Sequence, residues 1–559
     1  MSTSGTKLPT ITPSDADAPT RPSPVASVLR QVRRPLEILL LLVGLLLSRG
    51  ITKGEPFYNN DETRHVMNGV FLRDLLVDRP LAHPLTYAYE YYAKYPAISV
   101  PHWPPLFYVV EALFFLIFGI SVWASRLAIL GFALLGAYFW YRIAERFGPR
   151  PRALLSTFVF CLLPSIMVFE SVTMLEMPQV ALCLGTIFFW LRWVENEKAI
   201  DLWAVAALLV AALLTSQSSI FLAVFLSLDF LLNFRFRLLR NWQVWAALLT
   251  SVGIVVSWYL FSFRALTLSY QRAVGQEFQH VIHRWSLLFY LRKLPEQLGL
   301  TLLVFACIGI AWSVARAGSR YRFLLLWIAS AYLCFTLINE KESRHIFIWL
   351  PPLVYFSLLG IEALVPRRRW VWLAYAAVGL YFLIAALRFQ RPELTGVEQA
   401  ARFVLAQRDC DIIYYQGTLN GAFIFDVRRL DPQKSHMVAR DKQVVATNIV
   451  YARRPVLITP DQVLNFFENW HIRYAVIERR DVDPGLAVVH QVLESSRFEL
   501  IATYPVRLNQ GHQEIGAIAV YRLRGEIGPS AQALTIPMMT LHHDIPVDLH
   551  RLAGRPWPN

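Results

Sequence analysis

Residues 104–119 read PPLFYVVEALFFLIFG, and whether they cross a bilayer decides the topology of the whole chain. A crossing helix needs about 20 mostly apolar residues, and this stretch is shorter and contains Glu111. Eleven other apolar segments are candidate spans. They are residues 35–51, 122–142, 153–169, 177–193, 201–216, 218–234, 242–262, 298–315, 322–338, 345–364 and 370–388.

Arginine runs along the chain decide how this stretch is interpreted, because positive side chains are retained on the cytoplasmic side of a membrane. The runs are Arg30/Arg33/Arg34, Arg142/Arg146/Arg150/Arg152, Arg235/Arg237/Arg240, Arg316/Arg320/Arg322 and Arg367/Arg368/Arg369. With eleven spans, all runs share the side of the N-terminus only if residues 104–119 do not cross. The sequence therefore predicts a re-entrant or interfacial helix there, inside a long outer loop over residues 52–121.

Composition supports a membrane protein. Of the 559 residues, 55% are hydrophobic and 17% are charged, whereas soluble proteins have about 25% charged residues. The net charge of +14 lies in arginine runs between apolar segments, which indicates membrane topology and not a nucleic-acid partner. Five scattered cysteines give neither a disulfide framework nor metal-ligand spacing. We expect a multi-pass protein of the bacterial inner membrane, with a cytoplasmic N-terminus and an extracytoplasmic C-terminal domain.

The chain divides by composition into four parts. We predict a disordered cytoplasmic N-terminus (1–34), a transmembrane domain (35–390), an extracytoplasmic α/β domain (391–525) and an irregular tail (526–559). The fold class is an α-helical polytopic membrane protein with a soluble α/β domain. In that domain, strand-like runs occupy 411–415, 422–427, 474–477, 498–503 and 517–522, and helix-like stretches occupy 397–407, 461–469 and 485–496. No G-x-G-x-x-G follows a strand, so nothing indicates a nucleotide site.

The first chemical motif is NNDETRH at residues 59–65, directly after the first span. Asn60 or Asp61 can cap a surface helix, since residues 63–77 are amphipathic and helix N-termini favour acids. A cap needs only one acid, however, and does not explain the pair. The alternative is that Asp61 acts as general base toward an acceptor hydroxyl, with Glu62 as a positioning residue.

An aromatic stretch of the outer loop ends in His102-Trp103-Pro104-Pro105. Its tyrosines fit an interfacial aromatic belt. They are Tyr87, Tyr89, Tyr91, Tyr92 and Tyr95. Trp103 in a rigid turn is suited to present an aromatic face to a sugar, and His102 to present an imidazole to a phosphate.

Two further charged sites lie on the predicted outer side. Glu176 is a lone carboxylate between apolar spans, which either has a function or caps the helix that begins near Pro178. The short loop at 339–345 carries Lys341, Arg344 and His345. It is either an ordinary solvated loop or a site for a lipid phosphate, which arginine can bind bidentately.

In this order, the motifs resemble the GT-C superfamily of membrane glycosyltransferases, in the branch of protein O-mannosyltransferases and the aminoarabinose transferase of lipid A. The resemblance covers roughly residues 35–365. It is carried by Asp61-Glu62, His102-Trp103-Pro104-Pro105-Leu106, Trp123-Ala124-Ser125-Arg126-Leu127, Glu176-Met177-Pro178, and Arg344 before Pro351-Pro352. The chain has Glu176 where the family usually has aspartate. The lipid A enzyme has a lysine near the end of span five, where this chain reads Thr215-Ser216-Gln217. Its lysine in the stretch matched by His102-Trp103-Pro104 is also missing, so lipid A as acceptor is not implied.

The resemblance implies a glycosyltransferase (hexosyl or pentosyl transfer) that takes sugar from a polyprenyl-phosphate carrier to a glycan, lipid or protein acceptor at the outer face. Asp61, Glu62 and Glu176 are then the candidate catalytic residues. Candidates for binding donor phosphate or substrate are His102, Trp103, Gln217, Lys341, Arg344 and His345. Asp61 and Glu176 are the place where a divalent metal could bind, but they make a thin ligand set, so we expect no cofactor. The alternatives are a transporter or flippase for a lipid-linked glycan, and a non-catalytic surface-polysaccharide assembly protein.

Overall fold

The structure is a computed structural model. It describes residues 34–99, 102–233, 235–266, 284–316, 319–338, 341–365, 367–447, 453–479, 484–509, 513–528, 533–538 and 541–556. All but one residue of the N-terminal segment predicted to be disordered (1–34) lies outside these ranges.

Helices dominate the first part of the chain, as the long apolar runs predict, and a helical segment lies at each of the eleven candidate spans. The helices are α1 (Pro35–Leu47), α2 (Asp61–Asp78), α3 (Pro84–Lys94), α4 (Leu106–Phe118), α5 (Val122–Phe147), α6 (Arg150–Cys161), α7 (Pro164–Phe169), α8 (Glu176–Asn196), α9 (Ala199–Leu213), α10 (Phe221–Leu232), α11 (Trp242–Ala265), α12 (Arg284–Leu298), α13 (Leu300–Arg316), α14 (Arg322–Thr336), α15 (Leu350–Leu364) and α16 (Arg368–Arg388). Short 3-10 segments cover Tyr58–Asn60, Gln217–Ile220, Phe236–Arg240 and Ser343–Trp349.

Fewer helices are long enough to cross a membrane than the sequence predicts. Among the described residues, five helices are long and apolar enough to cross a membrane: α5, α8, α11, α16, and α15 with the 3-10 turn before it. A sixth span results if α12 and α13, which meet at 117° beside Gly299, are taken together. The mostly helical fold with a C-terminal sheet region is confirmed, and the count of eleven spans stays a prediction.

Helix α4 occupies the stretch that decides the topology. Its 13 residues span roughly 20 Å, which is less than the bilayer core of about 30 Å. It packs against α2 where Gly69 faces Glu111, and a Cβ at position 69 would collide with that carboxylate. The backbone N–H of Leu106 donates to the carbonyl of Leu214 at 2.9 Å, which ties the start of α4 to the end of α9. That α4 does not cross the membrane remains a prediction.

The C-terminal domain is built on a six-stranded mixed sheet with strand order β1-β7-β8-β6-β2-β3. Strand β2 is parallel to β3 and β6, and the remaining neighbours are antiparallel. Helices α17 (Val397–Leu405), α18 (Asn420–Leu430), α19 (Pro460–Asn469) and α20 (Ala487–Leu493) accompany it. The sheet strands are β1 (Leu394–Thr395), β2 (Ile412–Gln416), β3 (Met437–Arg440), β6 (Ile472–Arg479), β7 (Phe498–Leu508) and β8 (Gln513–Leu523), and a separate antiparallel pair is β4 (Val445–Thr447) with β5 (Arg453–Pro455).

Two expectations for this region are wrong. The run 422–427 lies inside helix α18 and is not a strand, because a short apolar run that is buried all round has no period that separates the two states. The tail predicted to be irregular contains an antiparallel hairpin, β9 (Ala533–Ile536) with β10 (Ile545–Asp548), and a short helix α21 (Leu549–Leu552). The guanidinium of Arg551 pairs with Glu90 of α3 at 3.0 Å, so the tail packs on the outer loop.

Helix α2 is one of the elements that contact the C-terminal domain. Gly421 of α18 lies so close to Thr63 that a Cβ at position 421 would overlap the Thr63 hydroxyl. Further along α2, the guanidinium of Arg428 donates two hydrogen bonds of 2.8 Å to Asp74. Both partners of this ion pair are buried. The C-terminal domain is therefore fixed to the same helix that begins with Asp61.

Candidate active site

Asp61 is the first residue of α2 and faces a partly open site. The preceding residue, Asn60, adopts a left-handed conformation (φ +57°), and its side chain makes no capping hydrogen bond. The Asp61 side chain is 30% exposed and accepts a 2.9 Å hydrogen bond from Nη2 of Arg344. Asp61 therefore keeps solvent access while its direction is fixed by an ion pair, and the helix begins without the side-chain cap that the sequence allowed.

Arg344 brings three carboxylates together. Besides Asp61, its Nε lies 2.6 Å from Oε2 of Glu342 and 3.4 Å from Oε1 of Glu176. Glu176 begins helix α8, and Arg344 lies in the 3-10 turn that precedes α15. The structure thus joins Asp61, Glu176 and Arg344 from three distant segments, as shared sidedness predicts. It adds Glu342, which sequence reasoning did not select.

Tyr58 is a further residue of this site that the motif search missed. Burial raises the pKa of Tyr58, and the nearby charges of Arg344 and Glu176 act on it in opposite directions. The phenol therefore lies among the groups just described. Its ring packs edge-to-face on Phe169, with centroids 5.5 Å apart. The available signal was its position beside the 59–65 motif, in the turn that leads into α2.

Glu62 has a different environment from Asp61, although the two are adjacent. Its side chain is fully buried. Oε2 accepts from the backbone N–H groups of Phe57 (2.9 Å) and Tyr58 (3.0 Å), and Oε1 accepts from that of Thr173 (3.0 Å). Nη2 of Arg126 lies 3.9 Å from Oε1. Glu62 therefore holds two loops in place around the site, which agrees with a positioning residue and leaves Asp61 as the accessible carboxylate.

A buried polar group lies beneath Glu62. Ser125 donates a short hydrogen bond to Glu111, and its hydroxyl lies 2.6 Å from that of Thr173. All three side chains are buried. Ser125 and Arg126 both come from the Trp123–Leu127 stretch of the family resemblance. These two side chains therefore support the segments around Glu62 and Thr173.

The aromatic stretch reaches the site through His65, which sequence reasoning did not select. The Trp103 ring lies 4.6 Å from both the His65 and the His102 rings, measured between centroids. Nδ1 of His65 is 2.7 Å from the Tyr108 hydroxyl. Nε2 of Gln217 donates to the carbonyl of His102 at 3.4 Å. The structure thus brings His102, Trp103 and Gln217 together, next to α2.

Both histidines are uncharged at neutral pH. Burial lowers the pKa of His65 to about 3, helped by the nearby cation Arg344. Burial and the nearby cation Arg64 lower the pKa of His102 to about 4. His102 can therefore donate a hydrogen bond to a phosphate but cannot neutralise its charge.

Lys341 is held by backbone carbonyls, and its role in binding a phosphate stays a prediction. Its ammonium donates to the carbonyls of Thr336 (2.6 Å) and Ile338, at the end of α14. Burial lowers its pKa. His345 is half-buried beside Arg344, and its backbone N–H donates to the carbonyl of Glu342 at 3.2 Å. Of the predicted cations, Arg344 is the one in direct contact with Asp61.

The place considered for a metal is occupied by a guanidinium, since Arg344 binds both Asp61 and Glu176. Within the described ranges, no group of three or more His, Cys, Asp or Glu side chains is arranged to hold a metal ion. Independence of metal remains a prediction.

Comparisons with known proteins show which proteins the chain resembles. Residues 102–261 match the family model described as dolichyl-phosphate-mannose-protein mannosyltransferase. No curated protein sequence matches the chain significantly. The resemblance to the GT-C superfamily, predicted from the motifs, is confirmed.

Solved structures agree with this fold. The chain is similar to ArnT from Cupriavidus metallidurans bound to undecaprenyl phosphate, with a TM-score of 0.58, 14% identity, and coverage of 89% of this chain and 100% of ArnT. The apo form of the same protein gives a TM-score of 0.58, 14% identity, and coverage of 88% and 99%. An oligosaccharyltransferase from Archaeoglobus fulgidus gives a TM-score of 0.51 and 12% identity, covering 79% of this chain and 68% of that one.

Proposed function

We propose that the chain is a glycosyltransferase that moves a sugar from a polyprenyl-phosphate carrier to an acceptor hydroxyl at the extracytoplasmic membrane face. The observation that supports this most is the contact of Asp61 and Glu176 with Arg344. It occurs on a fold shared with ArnT, which was solved with undecaprenyl phosphate. The matched family model names a dolichyl-phosphate sugar donor.

Asp61 is the proposed general base. Its partly exposed carboxylate accepts the proton of the acceptor hydroxyl while the hydroxyl oxygen attacks the anomeric carbon. The bond from that carbon to the phosphate oxygen breaks, and the carrier phosphate leaves with the electron pair. Arg344 fixes the direction of Asp61 through the 2.9 Å ion pair. Glu176, on the same guanidinium, positions the acceptor or shares the base role.

The leaving phosphate needs charge stabilisation more than protonation, because a phosphate monoester is already acidic (second pKa about 6). We assign this role to Arg344 and His345, with His102 as a neutral donor and Trp103 and Gln217 as neighbours of the bound sugar. Lys341 reaches a phosphate only by releasing the carbonyls at the end of α14.

The finer features belong to the same proposal. The multi-pass membrane location agrees with the similar structures. We further propose a bacterial inner membrane, a cytoplasmic N-terminus, a hexosyl or pentosyl donor, and a glycan, lipid or protein acceptor. We also propose transfer without a metal, which the guanidinium between Asp61 and Glu176 supports. It is tested by adding EDTA, which should leave the rate unchanged; loss of activity that Mg²⁺ restores would contradict it.

The deciding experiment replaces the base without changing its shape. Asp61→Asn should lower transfer about a hundredfold or more, because general bases contribute 10²–10⁴-fold. Glycans and lipids of cells that lack the gene are analysed by mass spectrometry after complementation with each variant. Asp409→Asn is the matched control, since Asp409 also pairs with an arginine at 2.8 Å but lies in the C-terminal domain; it should retain most activity. Normal turnover by Asp61→Asn removes the proposed base.

A further inference from the structure

Gln297 is a buried amide in the apolar helical part of the chain. It is 2% exposed and is the next-to-last residue of α12. A polar side chain in such surroundings is costly unless its hydrogen bonds are formed. Directly after it, α12 meets α13 at 117° beside Gly299, which has φ +80°. Residues other than glycine are strained at such a φ, so the bend that places Gln297 depends on this glycine.

Both ends of the Gln297 amide bind the 3-10 segment Ser343–Trp349. Nε2 donates to the backbone carbonyl of Ser343, and Oε1 accepts a 2.9 Å hydrogen bond from Nε1 of Trp349. These two residues are the first and the last of the segment that carries Arg344. One side chain therefore holds this segment at both of its ends.

The Ser343–Trp349 segment benefits from such support because its own backbone is irregular. Hydrogen bonds in 3-10 helices have poorer geometry than those in α-helices, and Ile346 departs from helical dihedral angles (φ −102°, ψ +15°). Ser343 comes directly before Arg344 in the chain. A shift of the Ser343 carbonyl therefore moves the backbone from which Arg344 reaches Asp61.

The backbone of Gln297 is itself fixed. Oγ of Ser165 in α7 donates to the Gln297 carbonyl at 2.7 Å. The last residue of α7, Phe169, packs its ring edge-to-face on Phe347 of the 3-10 segment, with centroids 5.0 Å apart. Helices α7 and α12 and the segment that carries Arg344 thus form one connected unit. This unit extends to the candidate active site, because Phe169 also contacts Tyr58.

We propose that Gln297 is a positioning residue, which sets where Arg344 lies relative to Asp61 and to the carrier phosphate. This inference rests on the proposed glycosyl transfer, in which Arg344 fixes the direction of Asp61 and stabilises the leaving phosphate. Gln297 acts through the backbone of Ser343 and not by contact with the substrate. A misplacement of about 1 Å far from the reacting atoms can lower a rate about a hundredfold. The alternative is that Gln297 only stabilises the packing of the helices.

Binding of undecaprenyl phosphate to the full chain in nanodiscs, measured by native mass spectrometry, distinguishes the two roles. Arg344→Gln should raise the Kd about tenfold or more, because it removes a charge-assisted hydrogen bond to the phosphate. Gln297→Met nearly keeps the length of the side chain and removes both hydrogen bonds, and it should raise the Kd about fivefold.

The double variant shows whether Gln297 acts through Arg344. When Arg344→Gln is already present, Gln297→Met should raise the Kd less than about twofold, because no guanidinium remains to be positioned. An equal rise with and without Arg344 overturns the proposal, since a merely structural residue weakens binding independently of Arg344.

Hydrogen exchange of the full chain tests the positioning separately from the carrier. Amides of residues 343–349 should exchange faster in Gln297→Met. Trp349→Phe removes one of the two hydrogen bonds and should produce a smaller increase. Unchanged exchange in both variants overturns the proposal. If the unaltered chain does not bind undecaprenyl phosphate while exchange increases as expected, the proposed carrier is wrong and the position of Arg344 still depends on Gln297.

Gln416→Met is the matched control. Gln416 is 5% exposed, and its amide also has two partners, the Tyr414 hydroxyl at 3.1 Å and the His490 ring at 2.9 Å. It lies in strand β2 of the C-terminal domain, so its replacement should change neither the Kd nor exchange at residues 343–349. A rise in Kd equal to that of Gln297→Met would show that losing any buried amide weakens binding, and it would overturn the proposal.

Discussion

Removal of Arg428 should loosen the C-terminal domain from α2 by a predictable amount. Asp74 is fully buried and accepts two 2.8 Å hydrogen bonds from Arg428. Breaking one side of a buried ion pair costs about 3–5 kcal/mol, because a buried charge loses its partner. In Arg428→Met, Asp74 keeps the Tyr91 hydroxyl and Nη1 of Arg73, each at 2.8 Å. The expected loss is therefore near the lower limit, about 3 kcal/mol.

Hydrogen exchange of the full chain in detergent measures this effect directly. Exchange of amides in α18 should become about a hundredfold faster in Arg428→Met, since about 1.4 kcal/mol corresponds to a factor of ten. The double variant Asp74→Asn with Arg428→Met should cost less than the two single variants added together, because no unpaired charge remains. Arg402→Met, which breaks an exposed pair with Glu398, should change exchange little. Additive single effects would refute the predicted coupling.

Two more predictions concern the same interface. Gly421→Val should destabilise domain docking by about 1–3 kcal/mol through overlap with Thr63. Adding Thr63→Ala should restore part of the thermal midpoint. A stable Gly421→Val variant would contradict the close approach of α18 to α2. Burial, with repulsion from Asp426, raises the pKa of Glu55 to about 8, and burial raises that of Asp426 to about 7. In the folded state both carboxyls stay protonated above the ordinary carboxyl pKa. The thermal midpoint should therefore fall as pH rises from about 5 to about 8, and Glu55→Gln should flatten that dependence. A midpoint that rises over this range would contradict the raised pKa values of the two carboxyls.

The meeting of Asp61, Glu176 and Arg344 could be anticipated because topology is a global constraint. Arginine runs between apolar segments assign each loop to one side of the membrane. Charged groups in loops on the same side of a helical bundle are therefore expected to lie close together. The structure joins them at 2.9 and 3.4 Å. The mostly helical class follows from the same apolar runs.

Side-chain direction is what the sequence does not contain. Asp61 and Glu62 are neighbours on α2 and point about 100° apart, and only the packing of that helix shows that Asp61 is open while Glu62 binds backbone. Lys341 likewise donates a hydrogen bond to a carbonyl at the end of α14, a contact that its position in the sequence does not predict.

Helix α2 has a mechanical consequence for engineering this protein. It is 18 residues long, about 27 Å at 1.5 Å per residue, with the proposed base in its first turn and the Asp74 ion pair near its far end. Because α2 is a continuous helix, a change of tilt at the Asp74 ion pair also moves Asp61 at its other end. A chimaera that exchanges the C-terminal domain must therefore also carry over the face of α2 that contacts this domain. Otherwise the carboxylate of Asp61 will be displaced.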